Sequence, residues 1–178
     1  PLNKDFSINH EVYFNHCKKL LKQGADGIAI FGTTGEASLL SADSKIELMH
    51  FLVDKGFDSS NLLPGTGMSS LMETIKLTSC ASSLQMAGAL IVPSFYYNNP
   101  TDQGVIDYYS KIIESVNNKE FKILLYHIPQ ISGVPINFNI IESLIHKYPN
   151  NIIGIKDSAN DLDHMIKTIK NFPDFCVF

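Results

Sequence analysis

Several side chains that can do carbonyl chemistry follow short apolar runs in this sequence. Lys156 comes directly after the apolar run 152–155 and precedes Asp157. An apolar surround disfavours a charged ammonium group, and a neutral amine can attack a ketone carbonyl to form a Schiff base. A lysine at such a place can also be a solvated residue or an ion-pair partner for Asp157. Taken alone, this residue leaves both interpretations open.

The segment GTTGE at 32–36 can form a binding loop. Its glycines, including Gly35, permit tight backbone turns. The hydroxyls of Thr33 and Thr34, together with adjacent backbone N–H groups, can bind a small carboxylate. The same residues equally suit a plain turn into a helix. A phosphate loop is not favoured, because no Gly-Lys-Ser/Thr sequence follows.

Three tyrosines also follow apolar runs. Tyr126 can relay protons at the mouth of a site, or it can be a packed core aromatic with its hydroxyl bonded nearby. His127 comes next, and we interpret it as structural because successive strand residues point to opposite faces. Tyr96 and Tyr97 form an aromatic loop, which also suits a subunit interface.

The elements that must position these residues alternate along the chain. Strands are predicted at 27–32, 62–67, 88–94, 122–129 and 151–158. Helices are predicted at 12–24, 41–56, 69–86, 102–116, 137–147 and 161–171. Ser41 is a suitable N-cap, and Gly24 and Gly56 are suitable helix-ending glycines. Strands that alternate with helices predict βαβ units and a parallel sheet, whose carboxyl edge usually carries function.

Two layouts fit this α/β pattern within a single domain, 1–178. An open doubly wound sheet suits the length, whereas a (β/α)₈ barrel usually needs ~250 residues. The sequence starts without methionine, as if just after a strand, and 174–178 reads as the beginning of another strand. We therefore also expect that the chain can be a piece of a longer barrel.

Composition excludes several classes of protein. A net charge of −4 argues against nucleic-acid binding. No run approaches the ~18 apolar residues of a membrane span, and no signal peptide is recognisable. Cys17, Cys80 and Cys176 form no C-x-x-C pair, which indicates free thiols in a reducing, cytoplasmic setting. The six histidines lack metal-binding spacing, so neither a metal site nor a cofactor is predicted.

Four motifs occur in one order: GTTGE at 32–36, YYNNP at 96–100, YHIPQISG at 126–133 and GIKD at 154–157. Together they resemble the dihydrodipicolinate synthase / N-acetylneuraminate lyase family of class I pyruvate-dependent aldolases, over essentially the whole chain. The resemblance implies a (β/α)₈ barrel followed by a helical region. It also implies a homotetramer built as a dimer of dimers. The predicted strands would be barrel strands two to six, with the start of the seventh.

The resemblance also implies roles for individual residues. Lys156 would form the Schiff base with pyruvate, a 2-oxo acid, and Tyr126 would relay protons. Thr33 would link Tyr126 to a second tyrosine, and Thr34 would bind the pyruvate carboxylate through its hydroxyl and backbone N–H. Tyr97 would be the tyrosine contributed across the dimer interface.

One position departs from the family pattern. In the synthase proper, an arginine after the catalytic tyrosine holds the carboxylate of aspartate semialdehyde, but Ile131 stands there and the chain has no arginine. Gln130 and Ser132 would instead suit a hydroxylated acceptor. We therefore predict a Schiff-base aldolase or lyase for a 2-keto-3-deoxy acid. The alternatives are dihydrodipicolinate synthase in lysine biosynthesis and a non-catalytic doubly wound binding module.

Overall fold

A computed structural model describes residues 1–178 and contains a parallel sheet. Its strands are β1 (Ala89–Ile91), β2 (Ile123–His127), β3 (Ile152–Asp157) and β4 (Cys176–Val177). They lie in chain order, and all three pairings are parallel. The register of β2 and β3 places Tyr126 directly opposite Lys156.

Two irregular segments extend the sheet beyond β1. Isolated parallel bridges join Ile28 to Leu62 and Gly65 to Leu90. The strands predicted at 27–32 and 62–67 therefore pair where expected, but only at single positions. Phe31 has a φ of +59°, which breaks the extended backbone of the first segment. Pro64 has no N–H group to donate to a ladder in the second.

The strand order decides between the two predicted layouts. From the segment near residue 28 to β4, every segment pairs with the one that precedes it in the sequence. A doubly wound sheet reverses its order at a switch point, so that alternative is wrong. An unreversed order of parallel strands is that of a (β/α)₈ barrel. The sheet is not closed, because β4 pairs only with β3 and the segment near residue 28 pairs only with the one near residue 62.

Seven helices accompany the strands. They are α1 (His10–Lys22), α2 (Ala42–Asp54), α3 (Leu71–Ser83), α4 (Asp102–Val116), α5 (Pro129–Ser132), α6 (Phe138–Lys147) and α7 (Leu162–Asn171). The Ser41 hydroxyl accepts a hydrogen bond from the Ser44 N–H, which confirms the predicted N-cap of α2. Gly24 and Gly56 follow α1 and α2 with φ of +102° and +80°, where glycine is favoured. None of the helices combines the length and apolarity that crossing a bilayer requires.

The two faces of the sheet bury different sets of residues. The outer face packs against the helices and forms the main core, which includes Leu48, Leu77, Tyr109, Leu125 and Ile155. The inner face carries a smaller apolar cluster of Leu90, Leu124, Tyr126 and Ile128. This inner face lines a cavity of about 450 Å³, and Lys156 belongs to its lining. The alternation of strand residues therefore directs Lys156 towards the barrel interior.

Candidate functional site

Lys156 and Tyr126 lie side by side at the carboxyl ends of β3 and β2. The Lys156 Nζ lies 4.1 Å from the centroid of the Tyr126 ring. It also donates a hydrogen bond of 2.9 Å to the hydroxyl of Ser158. Our reading of the sequence did not single out Ser158. Residues two apart on an extended segment point to the same face, but a hydroxyl at that spacing from a lysine is too common to predict the contact.

Thr33 joins this pair through the Tyr126 hydroxyl. Its Oγ1 lies 3.1 Å from the Tyr126 hydroxyl oxygen, within hydrogen-bond distance. The 3₁₀ turn Thr33–Gly35 positions it, with Gly32 extended before the turn and Glu36 at a φ of +55° after it. The structure thus brings together Lys156, Tyr126 and Thr33, three of the residues that the sequence indicated.

These neighbours change the acidity of Tyr126. Burial raises the pKa of the phenol, but the hydrogen-bonding groups of Thr33 and Lys156, the Lys156 charge and Ser158 lower it. The lowering contributions prevail, so the pKa of Tyr126 falls below its ordinary value of 10.0. A phenol with a lowered pKa releases its proton more readily, as a proton relay requires.

The rest of the GTTGE turn presents hydrogen-bond donors. Thr34 and Gly35 are exposed, and the Gly35 N–H is bonded within the turn to the Gly32 carbonyl at 3.0 Å. The backbone N–H groups of Thr33 and Thr34 have no acceptor within the chain. With the Thr34 hydroxyl, these groups can hold a small anion such as a carboxylate.

Gln130 and Ser132 occupy different surroundings on α5. The Gln130 side-chain amide donates a hydrogen bond of 2.5 Å to the Ser158 carbonyl oxygen, so it reaches the turn beside Lys156. Ser132 is buried, and its hydroxyl bonds with both the N–H and the carbonyl of Val134. The Ser132 hydroxyl is therefore engaged in shaping the loop.

Tyr97 lies apart from the other candidate residues. It is 83% exposed, and its ring packs edge-on against Tyr96 at a centroid distance of 5.2 Å. It makes no hydrogen bond with Thr33 or Tyr126 within this chain. The two tyrosines thus form an exposed aromatic pair on the loop after β1.

A second polar cluster lies behind β3, on the face opposite Lys156. His164 of α7 and Asp157 are joined by a hydrogen bond of 2.7 Å between Nδ1 and Oδ2. The His164 ring stacks between His127, at a centroid distance of 4.6 Å, and Phe138, at 5.1 Å. No sequence pattern indicated His164, because its partners come from three different elements.

This cluster contains the residue types of a metal site, but the hydrogen bond that His127 accepts does not suit metal binding. One donor atom each from His127, Asp157 and His164 lie within 4.8 Å of one another. However, the Nδ1 of His127 accepts a hydrogen bond of 3.0 Å from the Ile136 N–H, so the proton of the neutral ring is on Nε2. Neither nitrogen of that ring then has a free lone pair for a metal. Burial lowers the pKa of His127, which favours this neutral form.

Comparison with known proteins identifies the family. A sequence profile described as the Dihydrodipicolinate synthetase family matches residues 1–178. The chain belongs to this family. A 4-hydroxy-tetrahydrodipicolinate synthase from Listeria monocytogenes is 35% identical to this chain over 167 residues, which are 94% of the chain and 54% of that protein.

Solved structures of the dihydrodipicolinate synthetase family show the same fold. Dihydrodipicolinate synthase from Agrobacterium tumefaciens superposes with a TM-score of 0.96 at 22% identity, over 100% of this chain and 62% of that one. A prophage protein of the family from E. coli K12, in complex with pyruvate, gives a TM-score of 0.89 at 25% identity, over 99% and 59%. The predicted (β/α)₈ class is confirmed, and the chain represents part of the barrel. It spans 54–59% of the length of the curated relatives it matches.

Proposed function

We propose that the protein is a class I pyruvate-dependent aldolase or lyase in which Lys156 forms a Schiff base with pyruvate. The observation that carries this proposal is the position of the Lys156 Nζ, 4.1 Å from the Tyr126 ring centroid and 2.9 Å from the Ser158 hydroxyl. The structure of the E. coli relative in complex with pyruvate supports pyruvate as the 2-oxo acid.

The chemistry follows from these positions. The neutral Lys156 amine adds to C2 of pyruvate, and the carbinolamine loses water to give an iminium ion. The iminium withdraws electrons, so C3 loses a proton and becomes the nucleophilic carbon of an enamine. That carbon bonds to the carbonyl carbon of an aldehyde, and in the reverse direction the same bond breaks. Tyr126, hydrogen-bonded to Thr33, moves protons to and from the carbinolamine oxygen and the aldehyde oxygen.

The GTTGE turn fits the other end of pyruvate. In this proposal the pyruvate carboxylate binds to the Thr34 hydroxyl and to the backbone N–H groups of Thr33 and Thr34. Charge-assisted hydrogen bonds of this kind orient the ketone towards the amine. Binding and covalent reaction would therefore depend on different residues.

For the acceptor, we propose a 2-keto-3-deoxy acid as the substrate that is cleaved or formed. Ile131 is 64% exposed near the site, and no arginine is present to pair with a second carboxylate. Gln130, exposed beside Ser158, supplies an amide for hydroxyl groups, and Ser132 helps to shape its loop. The second candidate is condensation of pyruvate with aspartate semialdehyde. The 35% identity to the Listeria synthase supports this alternative.

A second copy of the chain is part of the proposal. The exposed Tyr96 and Tyr97 pair fits an aromatic contact between subunits, where Tyr97 would approach the Thr33 and Tyr126 hydroxyls of a neighbouring copy. The proposed assembly of the whole protein is a tetramer made of two such dimers.

Borohydride trapping tests the Schiff base. The whole protein is incubated with pyruvate and sodium borohydride, and the peptide that contains Lys156 is expected to gain the mass of a reduced pyruvyl group. Lys156→Ala is expected to abolish the gain, whereas Lys147→Ala, which removes an exposed lysine on α6, leaves it unchanged. Labelling of another lysine, or no labelling of the folded whole protein, contradicts the proposal.

A further inference from the structure

The carboxylate of Asp157 is buried immediately next to the proposed nucleophile. Its side chain is 1% exposed, on the face of β3 that points away from the cavity. A buried carboxylate needs hydrogen-bond donors for its oxygens, since burial without partners is costly. Oδ2 is paired with the His164 Nδ1 at 2.7 Å, and Oδ1 accepts the Ala159 N–H at 3.0 Å.

His164 is held in one orientation by its neighbours. Its ring lies nearly parallel to that of Phe138, with an interplanar angle of 10°, and stacks on His127 at 26°. Its Nε2 is buried and has no hydrogen-bond partner. A proton on Nε2 would therefore be unsatisfied, whereas a proton on Nδ1 is donated to Asp157. The packing thus presents a single N–H donor to a single carboxylate oxygen.

The turn that Asp157 begins carries the hydroxyl that contacts the nucleophile. The Ser158 N–H donates to the His127 carbonyl at 2.8 Å, and the Asp157 Oδ1 fixes the next N–H, that of Ala159. Between these two anchors lies the Ser158 hydroxyl, 2.9 Å from the Lys156 Nζ. The position of that hydroxyl depends on the Asp157 side chain.

We propose that His164 is a positioning residue, which holds the turn at 157–159 through Asp157 and so keeps the Ser158 hydroxyl against Lys156. The inference rests on the proposed function, in which Lys156 is the nucleophile. His164 lies on the outer face of the sheet and touches neither Lys156 nor the cavity. Without its N–H, one oxygen of Asp157 becomes a buried, unpaired acceptor, and the turn relaxes to reach water. The rate of imine formation then falls, while pyruvate binding at the GTTGE turn is retained.

Three variants of the chain separate the hydrogen bond from the packing. His164→Phe keeps an aromatic ring between its two neighbours but removes the donor. His164→Asn restores an N–H near the position of Nδ1. His146→Phe is the matched control, since it makes the same change at an exposed histidine on α6.

Amide hydrogen exchange and pyruvate trapping are measured on each variant. In His164→Phe, the Ser158 and Ala159 amides are expected to exchange about tenfold faster or more, since an unsatisfied buried acceptor weakens the turn. The trapping rate at saturating pyruvate is expected to fall similarly, with the half-saturating pyruvate concentration unchanged. His164→Asn and His146→Phe are expected to resemble the unaltered chain in both measurements.

Exchange also decides the inference independently of activity. If the whole unaltered protein traps no pyruvate, the proposed function fails, and the exchange rates alone show whether His164 holds the turn. Unchanged amide exchange at Ser158 and Ala159 in His164→Phe overturns the inference. Exchange at these amides that is as fast in His164→Asn as in His164→Phe overturns it too. If His164→Phe does not fold, His164→Gln replaces it, because its amide extends towards the position of Nε2 and is expected to loosen the turn as well.

Discussion

Tyr126 and Thr33 are 93 positions apart in the sequence, yet their hydroxyl oxygens lie 3.1 Å apart. The contact spans the inner face of the sheet, from the first irregular segment to the carboxyl end of β2. Because the Lys156 Nζ lies 4.1 Å from the centroid of the same ring, Tyr126 has a hydroxyl neighbour and an amine neighbour together. The pair therefore links the acidity of a phenol to a threonine on a distant turn.

The first prediction concerns the ionisation of Tyr126. Its pKa is lowered, so the difference in tyrosinate absorbance between the unaltered chain and Tyr126→Phe is expected to develop below pH 10.0. Tyr108 ionises later, because burial raises its pKa to about 12. Thr33→Val is expected to move the Tyr126 transition to higher pH, whereas Thr33→Ser keeps it. A transition that does not respond to Thr33→Val contradicts the prediction.

The sign of the effect on stability follows from the same pKa. The folded chain releases the Tyr126 proton at lower pH than the unfolded chain does, so this residue adds stability only as the pH rises past its folded pKa towards 10.0. At neutral pH, where the phenol is protonated in both states, the ionisation of Tyr126 is therefore expected to contribute little to the free energy of unfolding.

The second prediction concerns the rate of imine formation. Tyr126→Phe removes the proposed relay hydroxyl but keeps the ring, so trapping of pyruvate on Lys156 is expected to slow by ~10²–10⁴-fold. Tyr148→Phe is the control, because that hydroxyl bonds to Glu114 on the outer surface. Stopped reactions followed by mass spectrometry give the rates. Equal rates in the two variants would favour a purely structural role for Tyr126.

The third prediction concerns the choice of acceptor. The protein is expected to cleave 2-keto-3-deoxy sugar acids faster than it condenses pyruvate with aspartate semialdehyde, because no arginine pairs with the semialdehyde carboxylate. Ile131→Arg is expected to improve use of the semialdehyde by roughly 10- to 100-fold. Ile131→Lys should gain less, since a lysine lacks the planar fork that matches two oxygens. Faster turnover of the semialdehyde than of every sugar acid refutes this assignment.

The fourth prediction concerns Lys45, a buried lysine of α2 that has no carboxylate partner. It is 1% exposed, and its Nζ lies 3.2 Å from the Met68 sulfur. Burial lowers the pKa of Lys45 to about 8, so charging it opposes folding at neutral pH. Lys45→Met is expected to raise the free energy of unfolding at pH 7 by on the order of 2–3 kcal/mol.

The pH dependence distinguishes this effect from simple repacking. Between about pH 8 and 10.5, the unfolded chain holds the Lys45 proton more tightly than the folded chain does, so stability rises with pH. The advantage of Lys45→Met should therefore be full below pH 8 and disappear near 10.5. Lys76→Met, at an exposed lysine paired with Asp43, is the control. Urea unfolding at several pH values measures the stability difference between Lys45→Met and the unaltered chain. A difference that does not change with pH would contradict the role of the Lys45 charge.

The fold could be predicted from local patterns, but its irregular edge could not. The helices predicted at 102–116 and 161–171 correspond to α4 and α7, because their apolar spacing and N-caps are local features. The apolar runs near residues 28 and 62 predicted full strands, but each pairs at isolated positions. The left-handed backbone of Phe31 is set by its tertiary surroundings, and no apolar pattern encodes it.

The candidate site likewise contains residues that the sequence indicated and residues that it did not. Strand-end position indicated Lys156 and Tyr126, and the family resemblance indicated Thr33. The turn after β3 depends on contacts between distant elements, so Ser158 and His164 emerged only in three dimensions. A hydroxyl two residues past a lysine and a histidine seven residues past an aspartate are too common to predict such contacts.

The unreversed strand order also determines the order in which the strands can pair while the protein is being synthesised. Each segment of the sheet pairs with the one made just before it, so a chain that leaves the ribosome can add one βα unit at a time. Successive loops of similar length cost similar entropy to close, so each of these neighbouring pairings forms without a long-range search. Thr33 is made early and Tyr126 later, and Lys156 and Ser158 complete the contacts only when β3 emerges. The Lys156 amine is therefore made only after the sheet segments that carry Thr33 and Tyr126.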